Sequence, residues 1–238
     1  MIIRIEKPAD LAPYIDHTNL KPEAKPEDIT KLCEEAKKYG FATVCIRSEF
    51  VKFAKGALVG STVKVCSVIG FPREIVGPEN CHFGNMPTEE KVKEAQKAIR
   101  DGADELDMVI NIDELKNDNE EYVNNDILRV KVVADGKTLK VIIEARVLSD
   151  EQKILACRIA EDVDVDFVKT STGFVKDKNG KTLGATVEDV KLMRKQVGDK
   201  LGVKASGGIG DYVTAKAMIE AGANRLGCSA SVKIVGGE

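Results

Sequence analysis

The chain alternates eight short apolar runs with longer charged stretches, and this alternation limits its fold more than any other feature. The runs cover 14–17, 42–46, 63–69, 105–110, 140–144, 166–169, 201–204 and 225–228. Most are rich in Val and Ile, as strands buried on both faces are. Helical spacing fills 27–39, 88–100, 119–134, 149–161, 186–196 and 211–220, with Thr88 placed to cap the second of these and Gly102 to follow its end. The stretch after the second run is short, and the one after the eighth is nearly missing. KYGFATVC, RDGADELD and EAGANRLG repeat one pattern, in which a helix ends at glycine and a strand begins. Eight βα units in 238 residues predict an α/β protein, a (β/α)8 TIM barrel forming a single domain over 1–238. A doubly wound open sheet is the alternative, but it puts a Gly-rich turn after its first strand. Here that turn reads NLKPEAKPED, without glycine.

Charge and cysteine usage narrow the function classes. Net charge is −3, with 36 basic and 39 acidic residues interleaved, so no basic face is offered to nucleic acid. No window approaches the ~18 apolar residues of a membrane span. The opening MIIRIEKPAD lacks the apolar core of a signal peptide, so the cytoplasm is the default expectation. The six cysteines form no C-x-x-C pair and read as small buried residues. Cys81-His82 is half a metal site with no partner pair at suitable spacing, so no metal is expected. With only His17 and His82 present, chemistry built on several imidazoles is not expected.

In such a barrel, function collects at the carboxyl ends of the strands. The polar residues there are Asp16 and His17, Cys45, Asp107, Glu144, Lys169, Lys204, and Gly227 with Ser229. Lys169 and Lys204 form the informative pair, each following a valine on adjacent strands. A lysine with the ordinary pKa of ~10.4 is protonated at pH 7 and cannot attack a carbonyl. A second ammonium ~5 Å away opposes that charge by about 3 kcal/mol at an effective dielectric of ~20, and desolvation adds to it. A carboxylate works the other way, so Asp107 is expected to favour one lysine over the other. Two readings stay open from spacing alone: both lysines snorkel out of the mouth, or one is an amine nucleophile, the other its electrostatic tuner and Asp107 the acid/base group. Ser-Gly-type turns at 171–173, 206–208 and 227–229 follow three consecutive strands, where barrels bind phosphate through backbone N–H groups.

The stretches IDHT (15–18), VIGFP (68–72), GADELDMVIN (102–111), KVIIE (140–144), DFVKTSTGF (166–174), GATVEDV (184–190) and VKASGGI (203–209) closely resemble the deoxyribose-phosphate aldolase family. The resemblance covers 15–231. It implies reversible cleavage of 2-deoxy-D-ribose 5-phosphate to acetaldehyde and glyceraldehyde 3-phosphate, a lyase reaction of nucleotide catabolism without cofactor. It further implies that Lys169 forms a Schiff base, Lys204 tunes it, and Asp107 shuttles protons through a water. Asp16, Cys45, Thr172, Gly173, Gly207, Gly208, Gly227 and Ser229 would line the substrate and phosphate site. The partners implied are small aldehydes and sugar phosphates, and a second copy of the chain in a dimer or tetramer.

The sequence also departs from the family pattern. Gly210 stands where an arginine is common, Ala230 replaces a second serine, and Ala145 replaces a threonine. The 175–183 loop is long and carries Lys176, Lys178 and Lys181, and 73–87 reads as an insertion over the pocket rim. The first two changes remove expected phosphate contacts. They leave open the same enamine chemistry on a non-phosphorylated aldehyde, and a non-catalytic sugar-phosphate-binding barrel.

Overall fold

A computed structural model describes residues 4–237. Eight parallel strands, β1 (Ile15–Asn19), β2 (Thr43–Ile46), β3 (Lys64–Ile69), β4 (Glu105–Val109), β5 (Thr138–Ile142), β6 (Phe167–Lys169), β7 (Gly202–Ser206) and β8 (Arg225–Cys228), close in chain order, with β1 bonded to β8. The predicted (β/α)8 barrel is therefore the observed fold. Nine helices are described: α1 (Pro26–Tyr39), α2 (Val51–Ala57), α3 (Thr88–Arg100), α4 (Ile112–Lys116), α5 (Glu120–Ala134), α6 (Asp150–Asp162), α7 (Val187–Val197), α8 (Tyr212–Glu220) and α9 (Ser231–Ile234). The short α2 and the single turn of α9 match the weak helical signal at those places. Among the described residues no helix is long and apolar enough to cross a membrane.

The differences from the sequence reading lie at element ends. Asn119, Ser149, Thr186 and Asp211 stand one residue before their helices, where each side chain accepts a first-turn N–H. Thr88 does not cap α3. Pro87 holds that position, and the Thr88 hydroxyl instead donates to Asp126 at 2.7 Å. Asp126 also receives the buried Lys91 ammonium at 2.6 Å, so this pair between α3 and α5 outcompetes a local cap. Short α4 and a 3-10 turn at Pro8–Tyr14 went unread, because neither has the length to show periodicity.

Two loops meet over the barrel mouth. The Val76 N–H donates to the Phe174 carbonyl at 3.0 Å, and the Lys176 N–H donates to the Val76 carbonyl at 3.0 Å. The 175–183 segment then doubles back, pairing Lys176 with Thr182. The 73–87 segment sits at the rim as expected, but none of its residues lines the cavity below.

Candidate active site

The barrel interior is filled by charge where most barrels stack aliphatic side chains. Strand alternation puts Glu105 and Asp107 on the same face of β4. Register sets Lys140 beside Asp107, Lys169 beside Lys204, and Lys204 beside Arg225. One oxygen of Asp107 receives both Lys169 and Lys204, each at 2.7 Å, and the other receives Lys140 at 3.0 Å. Lys140 also holds Glu105 at 2.6 Å. Lys204 holds Asp16, which Arg225 reaches from the other side at 2.6 Å.

The expectation that Asp107 favours one lysine is corrected by this geometry, since it serves both at the same distance. Asp16 breaks the symmetry instead, because it bonds Lys204 and not Lys169. Burial opposes the charges on Asp107 and Lys204, yet their mutual attraction wins. Lys140, Lys169 and Lys204 hold the Asp107 carboxyl well below the usual carboxylate range. Asp107 and Asp16 hold Lys204 above the ordinary lysine range, so Lys204 is a standing cation. The interior set has four cations, Lys140, Lys169, Lys204 and Arg225, against three carboxylates, Asp16, Glu105 and Asp107. Lys169 has one carboxylate partner where Lys140 and Lys204 each have two.

Above this cluster lies a cavity of about 500 Å³. Of the three clustered lysines, Lys169 alone lines it, together with Thr172, Gly173, Gly207, Gly208, Gly227 and Ser229. Gly207 brings bare main chain to the wall in a left-handed conformation, with φ at +82°. At Gly227 a Cβ would lie 2.9 Å from the Ser206 Cβ and 3.1 Å from the Lys204 Cε, so glycine makes room for the lysine. Asp16 and Cys45 do not line the cavity; both are fully buried beneath it. The Asp16 oxygens are taken by Lys204 and Arg225, while the Cys45 thiol points to Asp107 at 4.0 Å. The Thr172 N–H and hydroxyl are also engaged, both donating to Glu144.

Sequence reasoning missed Lys140, Glu105 and Arg225, because it searched the ends of the apolar runs, whereas Glu105 and Arg225 open β4 and β8 and Lys140 lies in the middle of β5. The signal was present in the two-residue spacing of Glu105 and Asp107. Lys21 and Lys31 line the cavity too, whereas Lys176, Lys178 and Lys181 do not. Cys81 is buried, while His82 turns outward to Asp113 at 2.9 Å, so the two side chains diverge.

Glu144 is fully buried, takes a left-handed backbone with φ at +52°, and leaves its Oε1 without a partner. Burial pushes its carboxyl up to about 7, against hydrogen bonds from Thr172 that favour the charged form. The folded state therefore keeps a proton that the unfolded chain sheds near pH 4.5, and stability falls as pH rises from about 4.5 to about 7. Glu144→Gln cannot titrate. Its stability relative to the parent should rise by about 3 kcal/mol across that window and stay level above it. Urea melts at pH 4.5 and pH 8 measure this, and an equal difference at both pH values would contradict it.

Comparison with known proteins agrees with this geometry. Residues 11–234 match the description DeoC/LacD family aldolase. A deoxyribose-phosphate aldolase of Thermococcus gammatolerans is 56% identical over 232 residues, covering 96% of each chain. One from Caldanaerobacter subterraneus is 52% identical over 238 residues, covering 99% of this chain and 96% of its own. Among solved structures, a putative deoxyribose-phosphate aldolase from Coccidioides immitis superposes with a TM-score of 0.86 at 41% identity, covering 97% of this chain and 86% of that one. The deoxyribose phosphate aldolase of Aeropyrum pernix, described as a unique tetramer, gives 0.83 at 33% identity, covering 98% and 92%. By full-length sequence match and by fold, this chain belongs to the DeoC/LacD family of aldolases.

Proposed function

We propose that the chain is a deoxyribose-phosphate aldolase, a class I lyase that reversibly cleaves 2-deoxy-D-ribose 5-phosphate to acetaldehyde and glyceraldehyde 3-phosphate. The observation that carries this reading is Lys169, the clustered lysine that both faces the cavity and has the fewest carboxylate partners. In its neutral form the Lys169 amine is a nucleophile placed at the cavity. That amine adds to the C1 aldehyde of the open-chain sugar, and loss of water gives a protonated imine. The C3 hydroxyl gives up its proton, the C2–C3 bond breaks, and its electron pair flows into the iminium to form an enamine. Glyceraldehyde 3-phosphate leaves. Protonation of the enamine at C2 and addition of water then release acetaldehyde and the free lysine. Asp107, 2.7 Å from the Lys169 amine, relays the protons, and Lys204 holds Asp107 in place.

Borohydride reduction in the presence of acetaldehyde, read by peptide mass spectrometry, tests this. A two-carbon adduct on Lys169 supports it; a folded protein with no adduct favours the non-catalytic binder. The tuning role of Lys204 has its own consequence. Lys204→Met removes the cation that stands beside Lys169 on the neighbouring strand. Adduct formation should then drop by at least about 100-fold at pH 7 and recover in more alkaline solution. An unchanged pH profile of trapping would refute the role.

A phosphorylated substrate fits the main chain of Gly207, Gly208 and Ser229 in the cavity wall, with Lys21 and Lys31 supplying positive charge in the same wall. These lysines stand in for the charge lost at Gly210, which faces open space. The catalytic efficiency for the 5-phosphate should exceed that for deoxyribose by at least about 100-fold, or roughly 3 kcal/mol. Equal efficiencies would favour the non-phosphorylated reading. The tetrameric relative from Aeropyrum pernix supports self-association here. Analytical ultracentrifugation tests it, with a lone monomer as the contrary result.

A further inference from the structure

Arg47 follows β2 and is only 4% exposed, yet no carboxylate among the described residues lies within salt-bridge reach of it. Glu49, Glu94 and Glu23 act on it only from a distance, and a buried cation with no carboxylate in contact persists only where other contacts compensate. Here those contacts come from three separate loops. The Arg47 Nε donates to the Leu20 carbonyl after β1 at 2.9 Å. A terminal nitrogen donates to the Pro72 carbonyl after β3 at 2.7 Å. The planar guanidinium lies 5.6 Å from the Phe71 ring and 5.8 Å from the Phe174 ring, the latter after β6. Those rings meet edge to face, 5.2 Å apart. Leu20 and Phe174 both line the cavity, whereas Arg47 does not.

We propose that Arg47 is a positioning residue that staples the loops after β1, β3 and β6 into one preformed wall of the substrate cavity. The fork of donors and the flat cationic face are both needed, and lysine has neither. Acting through Leu20 and Phe174, Arg47 sets how well the substrate is held and leaves the Lys169 chemistry alone. The inference rests on the aldolase reading for its kinetic consequence, and on the loop contacts alone for its structural one.

The experiment compares Arg47→Met, Arg47→Lys and Phe71→Leu with the parent. Arg47→Met should raise KM for deoxyribose 5-phosphate about 10-fold while kcat stays within about 3-fold. Arg47→Lys should fall between, and Phe71→Leu should move KM in the same direction. Borohydride labelling of Lys169 at saturating acetaldehyde should be unchanged in all three. Native-state hydrogen exchange should show the Val76 and Lys176 amides, which bond across the loops, exchanging at least about 10-fold faster in Arg47→Met. Unaltered KM with unaltered exchange overturns the proposal, and so does a loss confined to kcat. If the parent itself shows neither turnover nor label, the aldolase reading has failed, and the exchange rates still decide whether Arg47 is the staple.

Discussion

Lys169→Ala should lose at least about 10⁴-fold in cleavage of deoxyribose 5-phosphate and still fold. The activity half follows from chemistry: without an amine at the cavity floor no imine forms, and no electron sink remains for the C2–C3 bond. The stability half follows from the charge count. Removing Lys169 leaves Lys140, Lys204 and Arg225 facing Asp16, Glu105 and Asp107, three against three. Asp107 keeps its bonds to Lys140 and Lys204, so no buried carboxylate is orphaned. The melting temperature should therefore move by no more than about 5 °C, a change of roughly 1–2 kcal/mol. Lys169→Arg sharpens the test, because a guanidinium retains the charge and the donor but does not deprotonate in proteins. It should be as inactive as the alanine variant. Turnover above about 1% of the parent in either variant would remove Lys169 from the reaction.

How much of this was legible in the sequence depends on the length of the signal each feature leaves. The barrel was legible because eight apolar runs and their helices repeat, and repetition averages out errors at single boundaries. Lys169 and Lys204 drew notice because a charged residue closing a Val-rich run is conspicuous, and Asp107 because it interrupts an apolar run from within. Lys140 was not. It opens its run, and a lysine at a strand start ordinarily faces water, as Lys64 at the start of β3 does. In the structure β5 begins two residues earlier, at Thr138, which sets Lys140 in mid-strand beside Asp107 inside the barrel. Arg47 was hidden for a different reason. Its partners are backbone carbonyls and ring faces from three distant loops, and such contacts leave no pattern in residue type. The expected substrate contacts of Asp16 and Cys45 misjudged depth, because both sit one layer below the residues that line the cavity.

Lys140→Met should destabilise the protein by about 3–5 kcal/mol, far more than loss of Lys169, although Lys140 never meets the cavity. The side chains have similar length, so little packing is lost and the effect is electrostatic. Lys140 is the close partner of Glu105, at 2.6 Å; the next, Arg225, stands at 3.5 Å. Removing Lys140 leaves Glu105 as a buried carboxylate with only the longer pairings to Arg225 and, at 3.7 Å, to the exposed Lys64, and takes from Asp107 the cation on its second oxygen. For a chain of this length the melting temperature should fall by roughly 6–20 °C. The carboxylates must then be the cause, and a second substitution can show it. Lys140→Met combined with Glu105→Gln removes the orphaned charge and should recover at least half of the lost stability, a coupling of about 2 kcal/mol in a double-mutant cycle. A single variant that melts within about 2 °C of the parent would mean that the interior charge cluster does not act as one electrostatic unit.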